Sequence, residues 1–194
     1  MYNDRVTKYR AWSEKFRWYY YVFALSLRAY VIPKRILDIG CGPGLFMEVL
    51  SDVFPEALVV GIDSSLEMCK ASKGIWGDAR RLPFKKKTFD LVTIHFALHD
   101  LEMDGVFEEV KRVLKNNGFL AIRDVNSDMP RIARQILLKI IEKNIDSVYV
   151  EYLLKKIEEF PSPSEIANYL SENNFEIKRI CENFFDFDII AVLK

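Results

Sequence analysis

A short apolar run leading into an acid and three closely spaced glycines constrains this chain more than any other segment. Between Leu37 and Gly44 the sequence reads LDIGCGPG, so glycines fill three of five consecutive positions. Glycine lacks a Cβ and accepts positive φ, which lets a ligand approach the backbone closely. The segment predicts a strand followed by a ligand-binding turn. A tight strand-to-helix turn without a ligand is the alternative.

Segments of strand and helix character alternate along the rest of the chain. Predicted strands lie at 35–39, 57–62, 74–76, 89–96, 119–123, 175–181 and 184–192, and predicted helices at 4–30, 45–54, 64–73, 100–114, 130–160 and 164–172. Such alternation predicts parallel strands joined by right-handed crossovers. The last two strands, joined by a tight connection, predict an antiparallel hairpin at one edge of the sheet.

The length and the charge balance limit the classes of protein to consider. The 194 residues are predicted to form one domain, residues 1–194. Lys+Arg and Asp+Glu number 28 each, so a role that depends on a basic surface for nucleic acid loses support. A local basic cluster between Arg80 and Lys87 keeps RNA open as a partner, with a solvated loop as the alternative.

The cysteine spacing and the hydropathy of the chain bear on the cellular compartment in which the protein works. The three cysteines lack CxxC spacing, so they predict neither a zinc site nor a disulfide framework, and they fit a reducing cytoplasm. The first residues show no signal-peptide pattern. The apolar stretch Trp18 to Ile32 is shorter than the roughly 20 residues of a spanning helix and contains Arg28. We therefore predict no membrane span, and a buried or partner-facing helix with membrane-surface contact as the alternative.

Acidic residues accompany three of the predicted strands. In an open parallel sheet, ligands bind beyond the carboxyl ends of the strands, where Asp38, Asp63 and Asp78 would meet. Asp63 stands 19 residues after the last glycine of the turn, where a carboxylate can accept hydrogen bonds from two ribose hydroxyls. An N-cap or turn role is the alternative. Ser64 and Ser65 are both predicted N-caps for the next helix, and Glu67 stands at capping-box distance from Ser64.

The order of these motifs resembles the class I S-adenosylmethionine (SAM)-dependent methyltransferases, in particular the methyltransferase type 11 or ubiquinone-menaquinone-biosynthesis-like group. The resemblance rests on the glycine turn, on Gly77 to Ala79 with the following Leu82 to Phe84, and on the runs Phe89 to Leu101 and Val113 to Leu120. It implies an α/β fold, a Rossmann-like three-layer sandwich. The implied sheet is seven-stranded and mostly parallel, with the order 3-2-1-4-5-7-6 and an antiparallel C-terminal strand.

The resemblance also implies the cofactor and its ligands. The cofactor would be SAM, with S-adenosylhomocysteine as product and no metal. Asp38 would receive the methionine ammonium, Asp63 the ribose hydroxyls and Asp78 the adenine amino group, with a backbone amide from Ala79. An Asx-turn is the alternative role for Asp78. The implied cofactor-binding residues are Asp38, Gly40, Cys41, Gly42, Gly44, Asp63, Ser64, Asp78, Ala79 and His95.

Two helical segments are predicted to cover the site. Residues 1–33 would form an N-terminal helical lid in which Tyr9 and Tyr20 touch substrate or the methionine end of the cofactor. Helix packing against the sheet is the alternative for these aromatic rings. Residues 128–162 would form a helical insertion, or cap, near the acceptor pocket.

The implied activity is an in-line transfer of a methyl group to an unidentified acceptor, most simply a small molecule. His99 is the candidate general base because its ordinary pKa lies near neutrality, and a histidine bonded to backbone is the alternative. His95 would be a wall of the pocket or a packing residue.

Other functions left open are a SAM-binding scaffold or regulatory subunit without catalysis, and an RNA or protein methyltransferase acting with a partner. A dehydrogenase is disfavoured because Leu45 or Met47 stands where Gly-x-Gly-x-x-Gly needs its third glycine. The oligomeric state is left open.

Overall fold

A computed structural model describes the backbone of residues 2–194 and the side chains from residue 6 onward; Met1 of the predicted lid lies outside the described residues. The helices of the described chain are α1 (Tyr2–Glu14), α2 (Arg17–Leu27), α3 (Leu45–Val53), α4 (Leu66–Ser72), α5 (Met103–Val113), α6 (Arg131–Asn144), α7 (Ser147–Glu159) and α8 (Pro163–Glu172). The strands are β1 (Arg35–Ile39), β2 (Leu58–Asp63), β3 (Ile75–Trp76), β4 (Phe89–His95), β5 (Leu114–Val125), β6 (Phe175–Glu182) and β7 (Asp186–Leu193).

All these strands join one sheet in the order β3-β2-β1-β4-β5-β7-β6. The pairs from β3 to β5 are parallel, whereas β7 runs antiparallel to both β5 and β6. The predicted strand order, the three layers and the antiparallel C-terminal strand are therefore confirmed. Strand β1 is central in the parallel half, and its register sets Asp38 beside Thr93 of β4 and Gly61 of β2.

Each face of the sheet carries its own apolar core. On one face Phe107 of α5, Leu170 of α8 and Ile157 of α7 pack against the sheet. On the other face Phe23 of α2 and Leu50 of α3 do so. Alternate strand residues supply both cores, as expected for strands that are buried on two sides.

The N-terminal segment forms two helices, where the sequence pattern predicted one. The chain turns at Lys15 and Phe16 between α1 and α2. Tyr9 and Trp12 of α1 pack against the core of one face, whereas Phe23 of α2 is buried in the core of the other. The break lets α1 cross the upper edge of the sheet, at the carboxyl ends of the parallel strands.

Three further local details refine or correct the predictions. Of the two predicted N-caps of α4, the structure uses Ser65, whose hydroxyl accepts from the Met68 amide at 3.4 Å, rather than Ser64. Residues 116–118, which fall between the predicted helix 100–114 and the predicted strand 119–123, lie inside β5, where Asn117 takes a φ of +59° beside a register shift. Helix α5 begins at Met103 because a 3₁₀ turn, Leu98–Asp100, precedes it.

Candidate functional site

The glycine turn joins β1 to α3 at the upper edge of the sheet. Gly40 has a φ of +71°, and an added Cβ would overlap the Cβ of Ala97. Gly42 has a φ of +51°, but an added Cβ there would meet nothing within 4 Å. Gly44 caps α3 with a φ of +89°. Close packing thus requires glycine at Gly40 and also at Gly44, where an added Cβ would overlap Ser72, while Gly42 borders open space that a ligand can enter.

Asp63 ends β2 directly beside that turn. Its Oδ2 accepts from the Gly42 amide at 2.8 Å, and its Oδ1 accepts from the Ser65 amide at 2.8 Å. Two backbone bonds therefore hold the carboxylate at the mouth of the turn in one orientation. Ser64 follows it, and the carbonyl of Ser64 accepts a hydrogen bond from the Trp76 indole at 3.0 Å.

Asp38 lies deeper, in β1, and is almost fully buried. Burial raises the pKa of its carboxyl to about 7, although the Thr93 hydroxyl, which donates to Oδ1 at 2.7 Å, opposes the rise. The charge of Asp63 adds to the rise. A cation entering beside Asp38 would favour its ionised form.

A cavity of about 720 Å³ opens beyond the carboxyl ends of the strands. Asp63 and Asp78 both line it, so the two acids predicted to bind ribose and adenine share one space. Its other lining residues include Tyr9, Gly40, Gly42, Ser64, Ala79, Trp76, Phe96, Asp100, Leu101 and Tyr149.

Asp78 is half-exposed and already has a cationic partner in Arg80. Arg80 bonds it through its backbone amide at 2.8 Å and through Nη2 at 2.9 Å, and Nη1 of Arg80 reaches Glu102 at 2.8 Å. The backbone contact is the Asx-type turn that the sequence left as the alternative for Asp78. The same carboxylate therefore closes a turn and borders the cavity.

A second cavity of about 40 Å³ lies behind the glycine turn, lined by Asp38, Cys41, Tyr20 and His95 among others. His95 stacks on Phe46 with ring centroids 4.1 Å apart, and Tyr20 meets its edge at 4.5 Å. Burial lowers the pKa of His95 well below its ordinary value, and burial raises that of the Cys41 thiol to about 12. Both groups are therefore neutral near pH 7. The His95 Nε2 is buried without a hydrogen-bond partner among the described residues.

His99 is buried in the 3₁₀ turn and paired with a buried acid. Its Nδ1 lies 2.7 Å from Oδ1 of Asp124, and its backbone amide donates to Oδ2 at 3.1 Å. Burial alone would lower the pKa of His99, but the charge and hydrogen bond of Asp124 outweigh it and raise the pKa. His99 does not itself line the large cavity. Its Nε2 lies 3.7 Å from Asp100, which does.

Aromatic residues from both predicted covering segments meet above the cavity. Tyr9 of α1 lines both cavities, and its ring centroid lies 6.3 Å from that of Tyr149 in α7. Tyr20 lines only the smaller cavity. Tyr152 of α7 donates a hydrogen bond to Asp100. Segments 1–33 and 128–162 thus each contribute to the walls.

Sequence reasoning missed four residues of the cavity wall. Trp76 and Phe96 are strand-end aromatics, Asp100 follows the candidate base, and Tyr149 belongs to a helix far along the chain. The place of Trp76, at the end of a predicted strand, was a usable signal. Nothing local in the sequence marks Tyr149, because its approach to Tyr9 depends on how α7 packs against α1.

Two negative findings concern the described residues. They contain no cluster of three His, Cys, Asp or Glu side chains arranged to hold a metal ion. None of the described helices combines the length and apolarity needed to cross a bilayer.

Comparison with known sequences gives consistent matches. Residues 37–122 match a family model described as a methyltransferase domain. A malonyl-[acyl-carrier protein] O-methyltransferase from Legionella pneumophila is 35% identical over 109 residues, which are 50% of this chain and 38% of that protein. A demethylmenaquinone methyltransferase from Geobacillus kaustophilus is 30% identical over 165 residues, which are 73% of this chain and 70% of that protein. The chain thus spans well under half of the first relative and about two thirds of the second.

Solved structures share the fold. A SAM-dependent methyltransferase from Aquifex aeolicus superposes with a TM-score of 0.67 at 22% identity, covering 87% of this chain and 88% of that one. A plantazolicin methyltransferase, solved in complex with S-adenosylhomocysteine, superposes with a TM-score of 0.76 at 17% identity, covering 98% and 91%.

Proposed function

The chain belongs to the class I SAM-dependent methyltransferases, and on that premise we propose that it transfers a methyl group from SAM to a small-molecule acceptor. One observation carries the proposal: Asp63 and Asp78 border the same cavity, beside a glycine turn that faces open space. A ligand with a ribose and a base needs such a pair of acceptors at one edge of a sheet.

The residues present fit the cofactor. Asp63 would accept the ribose hydroxyls, since its carboxylate is already fixed by two amides. Asp78 would accept from the adenine amino group, and the amide of Ala79 would lie beside the ring. The methionine end would enter the smaller cavity, where Asp38 can receive an ammonium group. Opening that cavity requires Tyr9 or Tyr20 to move.

The protein's main task in this reaction is alignment. SAM supplies a methyl group on a sulfonium, which is already a good leaving group. Correct placement of two reactants can contribute about 7–11 kcal/mol to lowering a barrier. Gly40, Gly42 and Asp63 would hold one reactant at the strand ends, while Tyr9 and Tyr149 would wall off water above it.

An acceptor with a hydroxyl or acidic carbon also needs a base, and we assign that role to His99. Asp124 fixes the ring at 2.7 Å, and its carboxylate can only accept, so Nδ1 carries the hydrogen and Nε2 is free to take a proton. The Asp100 carboxylate on the cavity wall lies 3.7 Å from Nε2 of His99, so an acceptor bound beside Asp100 would give its proton to Nε2 directly or through one water.

A small acceptor is supported by the walls and by the relatives. Leu101, Ile145, Phe96 and Tyr149 make much of the cavity apolar, and the relatives are named for malonyl-acyl-carrier-protein and demethylmenaquinone. An RNA acceptor finds less support, because acids already pair two cations near the basic cluster. Arg80 bonds Asp78 and Glu102, and Arg112 bonds Glu109.

Titration calorimetry with SAM tests the cofactor. We expect saturable heat, and a tenfold to hundredfold weaker affinity in Asp63→Ala, since hydrogen bonds to a charged group contribute about 1.5–3 kcal/mol each. Asp63→Asn keeps one acceptor oxygen, so its affinity for SAM should lie between those of the parent and of Asp63→Ala. Asp128→Ala, an exposed aspartate away from the cavity, is the matched control. No heat and no thermal shift at millimolar SAM would refute the proposal.

The pH profile of turnover tests the base. A neutral His99 is required, so kcat should rise with pH through a pKa above 6.5. In Asp124→Asn the supporting charge is lost, so the maximum should fall while the rise moves to lower pH. His99→Gln should keep SAM affinity and lose turnover by about 10²–10⁴-fold. An unchanged pH profile in Asp124→Asn would remove His99 from this role.

A further inference from the structure

Helix α6 carries a row of isoleucines that the protein's own core does not cover. Ile132, Ile136 and Ile140 are spaced four residues apart, so they lie along one side of the helix. All three are exposed, and Ile132 is 65% exposed. In the adjacent row, Ile141 belongs to the core, Leu137 packs against it and Ala133 is buried. The apolar arc of α6 is therefore wider than the surface it buries, which indicates a second contact on its outer side.

The row on the other side of these isoleucines is cationic. It consists of Arg131, Gln135, Lys139 and Lys143, again four residues apart and all exposed. None of the ion pairs among the described residues involves the three cations of this row. Across α6 there are four Lys or Arg and a single acid, Glu142, in a chain whose charges balance as a whole. Unpaired cations beside an exposed apolar row favour an anionic, partly apolar partner.

Two more exposed aromatics lie at the same end of the sheet. Trp18 is 62% exposed at the start of α2, and Phe184 is 70% exposed in the β6–β7 turn. Hydrogen bonds join these parts to the ends of α6. Lys15 donates to Asn144 at 2.8 Å, and the amide of Asn126, just before α6, donates to the Phe185 carbonyl at 3.0 Å. We call Ile132, Ile136, Ile140, Trp18 and Phe184 the apolar rim.

We propose that the apolar rim rests on an anionic lipid bilayer, with α6 lying in the headgroup region. An interfacial helix needs an apolar side that inserts about 5–10 Å and a basic side that meets anionic headgroups. Helix α6 presents those two rows next to each other. A protein partner or a second copy would bury the isoleucines equally well, but it would not by itself require three unpaired cations alongside them.

The location of the rim connects it to the reaction, a step that rests on the proposed function. Helix α6 carries three residues of the rim, and the segment that follows it carries part of the cavity wall, because Ile145 in the link to α7 and Tyr149 of α7 both line the cavity. An acceptor dissolved in the bilayer would then enter the cavity without crossing water.

Flotation of the full chain with vesicles tests the docking surface without SAM or acceptor. We expect binding to equimolar phosphatidylcholine and phosphatidylglycerol, weak binding to phosphatidylcholine alone, and weaker binding as salt rises. Ile136→Asp should lower binding at least about tenfold, since it sets a charge in the inserted side. Lys139→Glu with Lys143→Glu should lower it about tenfold or more and flatten the salt dependence.

Matched controls lie at the opposite edge of the sheet. Leu58→Asp changes an exposed apolar residue at the amino end of β2, and Lys86→Glu changes an exposed cation before β4; both should bind vesicles like the parent. Circular dichroism verifies that each variant is folded.

Two results would overturn the docking proposal: rim variants that bind like the parent, or no vesicle binding at all. A loss of self-association in Ile136→Asp, seen by light scattering without any vesicle binding, would assign the rim to a second copy. Vesicle binding without any heat on addition of SAM would support the docking surface and refute the proposed methyl transfer.

Discussion

Burial of a carboxyl group beside the glycine turn lowers the free energy of unfolding by an amount that depends on pH. Asp38 is buried, has one hydroxyl donor in Thr93, and its pKa is raised to about 7. In the unfolded chain an aspartate titrates near 3.9. Between these two values the unfolded chain releases a proton that the folded protein retains. The free energy of unfolding therefore falls as pH rises from about 4 to about 7.

Replacing this carboxyl with an amide tests that cost. Asp38→Asn keeps an acceptor for Thr93 but cannot ionise, so it should unfold at a higher temperature than the parent at pH 8 and at a similar one at pH 4. A rise of about three units in the pKa of Asp38 corresponds to about 4 kcal/mol of unfolding free energy, which is the upper bound on what Asp38→Asn can gain at pH 8. Thermal unfolding across this pH range is the measurement, with the exposed Asp128→Asn as control. A difference that does not change with pH would contradict the account.

At the scale of elements, one glutamate ties the N-terminal helices to the cofactor region. Glu48 of α3 binds Arg10 of α1 at 2.6 Å and Arg17 of α2 at 2.6 Å. Arg10 also donates to the carbonyl of Pro43, within the glycine turn, at 2.7 Å. Glu48 is half exposed, so these pairs add little to global stability and instead fix where α1 lies. The predicted lid is thus clamped to the loop it would cover.

Removing the clamp should loosen α1 without unfolding the protein. Glu48→Gln is expected to lower the free energy of unfolding by about 1 kcal/mol or less. Trypsin should cut within α1 several times faster, and SAM should associate faster because the smaller cavity opens more often. Glu56→Gln, an exposed glutamate outside this cluster, is the control. Cleavage at the parental rate would show that packing of Tyr9 and Trp12, rather than Glu48, holds the helix.

At the scale of the whole molecule, the sheet separates two apolar cores that share its strands. Phe107 of α5 belongs to one core and Phe23 of α2 to the other, and both are buried. Neighbouring residues of a strand point to opposite faces, so each core depends on the same strands being in register. The two layers should therefore unfold together, although their side chains do not meet.

A pair of core substitutions tests that expectation. Phe23→Leu and Phe107→Leu should each lower the free energy of unfolding by up to about 1.5 kcal/mol. Because the sites lie on opposite faces, the double variant should lose the sum to within about 0.5 kcal/mol. Denaturant unfolding followed by fluorescence and circular dichroism should give coincident transitions. Two separate transitions would mean that the layers are independent.

The sequence was sufficient where a local pattern carries the information. The strand order followed from a family resemblance built on the glycine turn and the motifs after it, and β1 was predicted with its observed bounds. Asp63 was predicted as a cavity residue from its place after a β-branched strand. The bounds of β1 and the place of Asp63 depend on backbone conformation and strand periodicity, which neighbouring residues set, whereas the strand order came with the resemblance alone.

Only the tertiary structure decided the features that depend on distant packing. It divided the N-terminal segment at Lys15 and Phe16, because the two helices pack against opposite faces of the sheet. It paired His99 with Asp124, residues 25 apart in the chain, and brought Tyr149 over a cavity formed by residues far earlier in the sequence. By itself the sequence determined the sheet and the cofactor edge, because periodicity and glycine conformation are local. The cavity wall on the side of the proposed acceptor could not be predicted from the sequence. It depends on the packing of α1, α6 and α7, because burial and proximity there arise from contacts between remote segments.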